Sequence, residues 1–443
     1  MPSQSPLIET ACNASQLQAQ KTNLESYRRP LFSWPESAAM VTAIIASSQA
    51  FMVQYTDVAL IIALSFSFML WVSTSRELRL AFVIFVYCAI VWIIFISVKF
   101  DIYNLQTAVG LIVRMSIGYF LVITLKDRFV SLLFLWVVRL TTISLLLFVL
   151  SMVAPQVFSR IYDLAGPFQE LMIVNSQDTV TEIGVAGWER YSFIAFTFSP
   201  DRLYQNHGFM WEPGAFAMIL NFALAMMIAS GSYTLDRNKM ILIAGIVSSL
   251  SSAGLFVFFI VAFYWLSKIR KWGAFLNFQL AIAAVVLANS LTFLLPKVFE
   301  EFQMVDEYIL NSTKWGLTRY SSFVLDFQDF RDNPLLGRGL YLENRFSGNL
   351  PVASHNGFSD FASRFGLLGI VTLCWNIFHS GKAMGDRSIF SGLFLLAVVL
   401  VSSWSERFFE LPIFFAILFL GISLNNDGVK SSPRWPRGNL FIR

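Results

Sequence analysis

The chain has 443 residues, of which 56% are hydrophobic and 14% charged, with a formal net charge of +4 and a mean hydropathy of +0.62. Soluble domains carry roughly a quarter charged residues, so this composition excludes an ordinary soluble enzyme and describes a polytopic membrane protein. The modest positive charge, with no basic run interleaved with aromatics, calls for no nucleic-acid partner.

Residues 1–36 are polar, carry Glu9, Lys21, Glu25, Arg28 and Arg29, and lack the apolar run and small-residue cleavage site of a secretory leader. They are expected to form a cytoplasmic tail ahead of an uncleaved first span. A spanning helix needs roughly 20 apolar residues, which places segments near 37–54, 56–74, 80–98, 104–124 and 129–154. A longer polar stretch then runs from Pro155 to Asn206. A sixth span follows from about Pro213 to Ser230, with Pro213 suited to a helix first turn, where its missing N–H costs nothing.

Residues 239–267 are long for one helix and short for two, and the serine-rich run Ser248–Gly254 interrupts them. Cytoplasmic loops collect lysine and arginine, so the basic groups Arg237/Lys239 and Lys268/Arg270/Lys271 should share a side. That predicts two half-length helices turning near Ser252. Further spans are expected near 273–295, 357–379, 388–404 and 408–425.

Counting the hairpin as two, about twelve segments form an all-α membrane helical bundle over 37–425, with a basic cytoplasmic tail at 426–443. Both termini then face the cytoplasm, and two long loops, about 155–206 and 297–355, lie together on the outer face. Long loops in a compact protein usually carry function. Cys12, Cys88 and Cys374 offer no pair placed for a disulfide and no CxxC.

The chemistry-bearing residues concentrate between Arg319 and Gly369. His355, one of three histidines, sits where a polar loop meets a helix, with Asn356 as its N-cap and Asp360 in the first turn. A histidine there suits proton transfer from a hydroxyl at neutral pH; the competing reading is an interfacial histidine that only hydrogen-bonds. Arg319, Arg331, Arg338, Arg345 and Arg364 are dense on a face the positive-inside bias disfavours. Arginine recognises phosphate through bidentate contacts, so these residues fit a lipid diphosphate at the membrane boundary; the alternative is pairing with Asp326, Asp329, Asp332 or Glu343. Loop 155–206 adds Arg160, Arg190 and Arg202.

Glu212, at a helix start at the membrane boundary, either orients a basic group, binds a polar substrate, or answers the helix dipole. Arg114 and Arg139 lie near the middles of spans and count as functional candidates for that reason. No DxD occurs, and His207 and His355 without nearby cysteines make a poor zinc set, so no metal is expected.

These residues carry a resemblance. Arg319, then Asn333-Pro334-Leu335-Leu336-Gly337-Arg338-Gly339, then His355-Asn356 entering a helix through Arg364-Phe365-Gly366-Leu367-Leu368-Gly369, resemble the O-antigen polymerase and O-antigen ligase superfamily. Gly208-Phe209 and Glu212-Pro213-Gly214 with Phe216-Ala217 are similar to the polymerase branch, and the serine-rich hairpin fits too. The likeness covers roughly residues 200–370; the first 150 match only as generic spans.

The resemblance implies a C-type glycosyltransferase-like fold in the bacterial inner membrane. It implies transfer of a glycan from undecaprenyl diphosphate at the periplasmic face, without metal or cofactor. His355 would bind or deprotonate the acceptor hydroxyl, with Glu212 as a second catalytic candidate. Arg319 would hold the donor diphosphate, together with Arg190, Arg202, Arg331, Arg338, Arg364 and Asn356. Ligases often carry Ser-Arg or Thr-Arg at the hairpin, where this chain has Ser251-Ser252, which leaves Arg190 or Arg202 for the second phosphate contact. The reading is therefore a repeat-unit polymerase of O-antigen, capsule or exopolysaccharide, with a chain-length regulator and a flippase as partners. The alternatives are a ligase that transfers glycan to lipid A-core, and a transporter or flippase of lipid-linked glycans.

Overall fold

The computed structural model describes residues 32–48, 56–164, 191–199, 203–269, 319–341, 354, 356–385 and 388–424. These are mostly helical, with one short antiparallel hairpin in which β1 (Tyr191–Phe193) pairs with β2 (Phe196–Phe198). The helices are α1 (Trp34–Ser48), α2 (Thr56–Ser73), α3 (Leu80–Phe100), α4 (Leu105–Leu125), α5 (Phe129–Val153) and α6 (Pro155–Leu164). They continue as α7 (Pro213–Ala229), α8 (Arg237–Ser248), α9 (Ser252–Lys268), α10 (Arg319–Asp332), α11 (Gly357–Met384), α12 (Ile389–Ser403) and α13 (Pro412–Leu424).

Their starts are written locally. Asn104, Asp236, Ser251, Asn356 and Ser388 each accept a first-turn backbone N–H through the side chain, and Pro213 opens α7. Leu80–Phe100, the run Leu105–Val153 that contains α4 and α5, and Gly357–Met384 are long and apolar enough to cross a membrane; α2, α7, α9, α12 and α13 are shorter apolar helices. On α3, Ile84, Tyr87, Ile94 and Val98 are exposed. An apolar stripe of this kind would be an aggregation surface in water and is the ordinary outer face of a helix in lipid. The helical bundle is that of a membrane protein.

The centre of the bundle is α7. Nearly all its residues are buried, as expected for a helix that is apolar on every side, and it packs against α5, α8, α9 and α12. Helices α8 and α9 form the predicted V. The chain turns at Ser249–Ser251, where Leu250 takes a positive φ of 50°. Trp265 near the end of α9 donates Nε1–H to the Tyr233 carbonyl at 2.6 Å, just before α8 begins. The outer ends of the two helices therefore lie on the same side. The turn meets the start of α7, with Asn206 bonding to Ser248 through both its backbone N–H and its amide at 3.0 Å.

Helix α11 is broken at Gly366 (φ 63°, ψ −166°). In a continuous helix the Leu367 and Leu368 amides would bond to the carbonyls of Ser363 and Arg364. Here the loop 333–341 stands between them. Leu367 N–H donates to Pro334 O at 2.7 Å and Leu368 N–H to Leu335 O at 3.2 Å. Ser363 O accepts from Arg338 N–H at 2.8 Å, and Arg364 O accepts from Gly339 N–H at 3.0 Å. All four groups freed by the break are satisfied by one loop. Gly337 (φ 72°) and Gly366 permit the approach, since a Cβ on Gly337 would lie 2.1 Å from Arg364 O. Helix α3 backs the loop: Trp92 donates to Leu336 O at 2.9 Å and stacks on Phe365, and Lys99 reaches Asn333 Oδ1 at 2.5 Å.

Three segment boundaries shift by three residues or more, and one of them is the end of α11, at Met384 rather than near 379. The first helix starts at Trp34 rather than near 37, and the last begins at Pro412 rather than 408. The earlier start at 408 followed from the apolar pair Phe408-Phe409, both buried in the connection before the helix. The expected span 273–295 lies outside the described residues.

Candidate functional site

The break in α11 carries a network of buried charge. Asp360, in the first turn of α11, is favoured there by the helix dipole. It holds Arg364 one turn later through both carboxylate oxygens, at 2.9 Å each, with the acidic residue N-terminal to the basic one, the better order on a helix. The same carboxylate lies 3.4 Å from Arg338 Nη2 and 3.3 Å from Arg407 Nε. Arg338 also faces Asp329 Oδ2 at 3.3 Å and donates to the Tyr341 carbonyl at 2.8 Å.

Arg364 donates its remaining nitrogen, Nη1, to Glu410, whose other oxygen lies 4.0 Å from Arg114 Nη1. Burial pushes the Glu410 carboxyl up, but Arg364 first, then Arg407 and Arg114, outweigh it and hold the group below its usual range.

Next to this network, Ser354 and Ser359 are tied to one carboxylate. Ser354 and Ser359 each donate a hydroxyl to Asp326 Oδ2 at 2.6 Å. Asn356 caps α11 by accepting from Ser359 N–H at 3.0 Å, and its own Nδ2, fully buried, has no partner. Asp326 and Asp329 reach these partners together because they are three residues apart on α10, on one helix face.

Of the sequence candidates, Arg338, Arg364 and Asn356 meet here. Arg331 does not: it is exposed at the end of α10, 3.7 Å from its neighbour Asp332. Arg319 opens α10, but its side chain, and all of Arg190, Arg202 and His355, lie outside the described residues. Glu212 is the N-cap of α7; its side chain makes no cap bond and accepts from Trp211 Nε1–H at 3.0 Å.

Arg114 finds the partner the sequence did not name, Glu410. Arg139 is exposed on α5, with its guanidinium over the Trp136 ring at 4.7 Å. No group of three or more metal-ligating side chains occurs among the described residues.

Arg407 and Glu410 were missed in the sequence, as was Glu406, which is buried with its Oε1 packed where a Cβ on Gly214 would fall. The available signal was three charges in Glu406-Arg407-Phe408-Phe409-Glu410 followed by Pro412, a helix-start residue. No model of a known protein family matches the sequence, and no curated protein matches it.

Proposed function

We propose that this chain is a polysaccharide polymerase. It would join lipid-linked oligosaccharide repeat units by metal-independent glycosyl transfer at the outer face of a bacterial inner membrane, on a bundle of about twelve segments with both termini cytoplasmic. The observation that carries the reading is that Ser354 and the first turn of α11, both bonded to Asp326, lie against a network of four arginines. With His355 between Ser354 and Asn356 in the chain, its imidazole would stand beside a positive surface suited to a diphosphate leaving group.

The acceptor hydroxyl would attack the donor's anomeric carbon and lose its proton to His355, and the lipid diphosphate would depart. Preorganised donors facing a developing negative charge contribute about 3–4 kcal/mol each where measured. Arg338 and Arg364, with their nitrogens engaged by carboxylates and a carbonyl, serve as the frame; their charge acts through position rather than contact.

The test is purified protein incubated with undecaprenyl-diphosphate-linked repeat units. Longer lipid-linked glycan is the expected product, and it should vanish in His355→Ala while the protein stays in the membrane. Transfer to lipid A-core would make it a ligase, and translocation without covalent change a flippase; either result removes the polymerase reading.

A further inference from the structure

We infer that α10 lies in the membrane–water boundary, with Phe323, Phe327, Phe330 and Trp404 seated among the acyl chains of the bilayer itself. This contact is separate from the chemistry of the site and does not rest on the polymerase reading.

The sequence places 297–355 in an outer loop, yet α10 is built inside out for a helix in water. Its polar residues Ser322, Asp326 and Asp329 are buried together with Leu325. They lie on the side where α10 packs against α11 and where the two carboxylates meet Ser354, Ser359 and Arg338. Phe327, in contrast, is 55% exposed, and Phe323 and Phe330 are half-buried.

At 3.6 residues per turn these three phenylalanines fall on one flank, roughly 100° round from the buried face, and the exposed Gln328 and Asp332 fall on the other flank, roughly as far round the opposite way. A helix on a protein surface in water turns its phenylalanines in and its carboxylates out. Protein on one side, an aromatic flank on the second and a polar flank on the third is the pattern of a helix lying in a membrane boundary.

The aromatic flank is continuous with two apolar stripes that face lipid as α3 does. At one end Phe323 meets the Trp404 ring at 5.3 Å, and Trp404 ends the exposed stripe Ile389, Leu393, Trp404 of the apolar helix α12. At the other end Phe327 meets Phe330, and the chain runs on to Leu335, which is 67% exposed and whose carbonyl accepts from Leu368 N–H. Leu368, Val371 and Trp375 then continue along one exposed side of α11, a helix long and apolar enough to cross a membrane.

Lys99 sets the depth. It stands in the last turn of α3, over the Phe100 ring at 5.0 Å, and reaches Asn333 just beyond α10. Lysines near span ends reach for the headgroups, and tryptophan collects at the same level. With lipid-facing stripes at both ends and the headgroup level at Lys99, acyl chains are the occupant that fits the flank. The face of α10 that they press inward carries Asp326 and Asp329, so the bilayer holds the acidic side of the network in place.

The experiment places the full chain in phosphatidylcholine nanodiscs as nitroxide-labelled single-cysteine variants, with Cys12, Cys88 and Cys374 replaced by alanine. Labels on F327C and L335C should collide with dissolved oxygen several-fold more than with a water-soluble nickel chelate, and a label on Q328C should show the reverse. Higher nickel access on F327C and L335C would put the flank in water, and low access to both reagents would put it under another part of the protein; either result overturns the inference.

The unaltered protein gives a second readout if the cysteine variants do not fold. With phosphatidylcholine carrying a diazirine in its acyl chain, photolysis should label residues 323–335 together with the 368–375 stripe of α11. Labelling of α11 that leaves 323–335 bare overturns the contact.

Discussion

Arg338 and Arg364 share one carboxylate: Asp360 Oδ1 lies 3.4 Å from Arg338 Nη2 and 2.9 Å from Arg364 Nε. The first arginine belongs to a loop, the second to a helix, and their common acid joins the two segments where their backbones already exchange hydrogen bonds. The charges and the main chain therefore hold the same joint.

Removing that acid should cost much more than an average surface change. Asp360→Asn leaves Arg338, Arg364 and Arg407 facing one another without their shared counter-charge, and breaking a buried pair costs about 3–5 kcal/mol. A sharply lower thermal midpoint in detergent is the expected outcome; an unchanged one would mean that the three guanidiniums find other partners.

Gly366→Ala tests the joint through the backbone. The φ of 63° with ψ of −166° is a region nearly confined to glycine, and a Cβ there would lie 2.5 Å from Leu335 O. Strain of about 1–3 kcal/mol is expected from the dihedrals alone, with the collision added, so the variant should unfold at lower temperature than Gly385→Ala, whose φ is −96°.

Glu410 predicts a pH dependence. Its folded-state carboxyl titrates below the unfolded value of about 4.3. The unfolded chain thus takes up the proton first, so the stabilisation is fully present above about pH 4.3 and is lost as pH falls through the lower folded value. Thermal midpoints of wild type and E410Q should differ at neutral pH and converge on acidification. Parallel curves down to pH 3 would remove the group from the network's electrostatics.

Asp326 holds Ser354 and Ser359 together at one carboxylate oxygen. Hydrogen bonds to a charged acceptor contribute about 1.5–3 kcal/mol each, and here two hydroxyls spaced five residues apart converge on one oxygen. S354A and S359A should each reduce glycan growth with little loss of membrane-inserted protein. The double variant should lose more than the product of the two single losses, because either serine alone keeps its segment bonded to Asp326. Full additivity would show two independent anchors.

Much of this was legible in the chain. Asn356 as a cap and Pro213 as a helix start follow from local backbone chemistry, and the V of α8 and α9 followed from two basic clusters that had to share a side of a serine-rich break. The segment 319–369 stood out by its arginines. What stayed hidden depends on who meets whom. Gly337 and Gly366 announce unusual backbone without saying that each exists to admit the other's segment.

Arg338 and Arg364 look alike in sequence to any phosphate-binding arginine, and only the fold reveals that Asp360 takes their donors. Glu410 was concealed by its neighbours, since Phe408 and Phe409 raise the local hydropathy enough to extend the following span over it. Arg114 could not be paired because its partner was assigned to the membrane.

The bend in α11 has an owner other than α11. Every amide and carbonyl left open at Gly366 is answered by residues 334–339, and in lipid an unanswered backbone group costs several kcal/mol. An α11 peptide excised and placed in a bilayer would then straighten, closing its own ladder and erasing the kink. Since the answering loop precedes α11 in the chain, it is synthesised first: the ribosome releases the splint before the limb it sets.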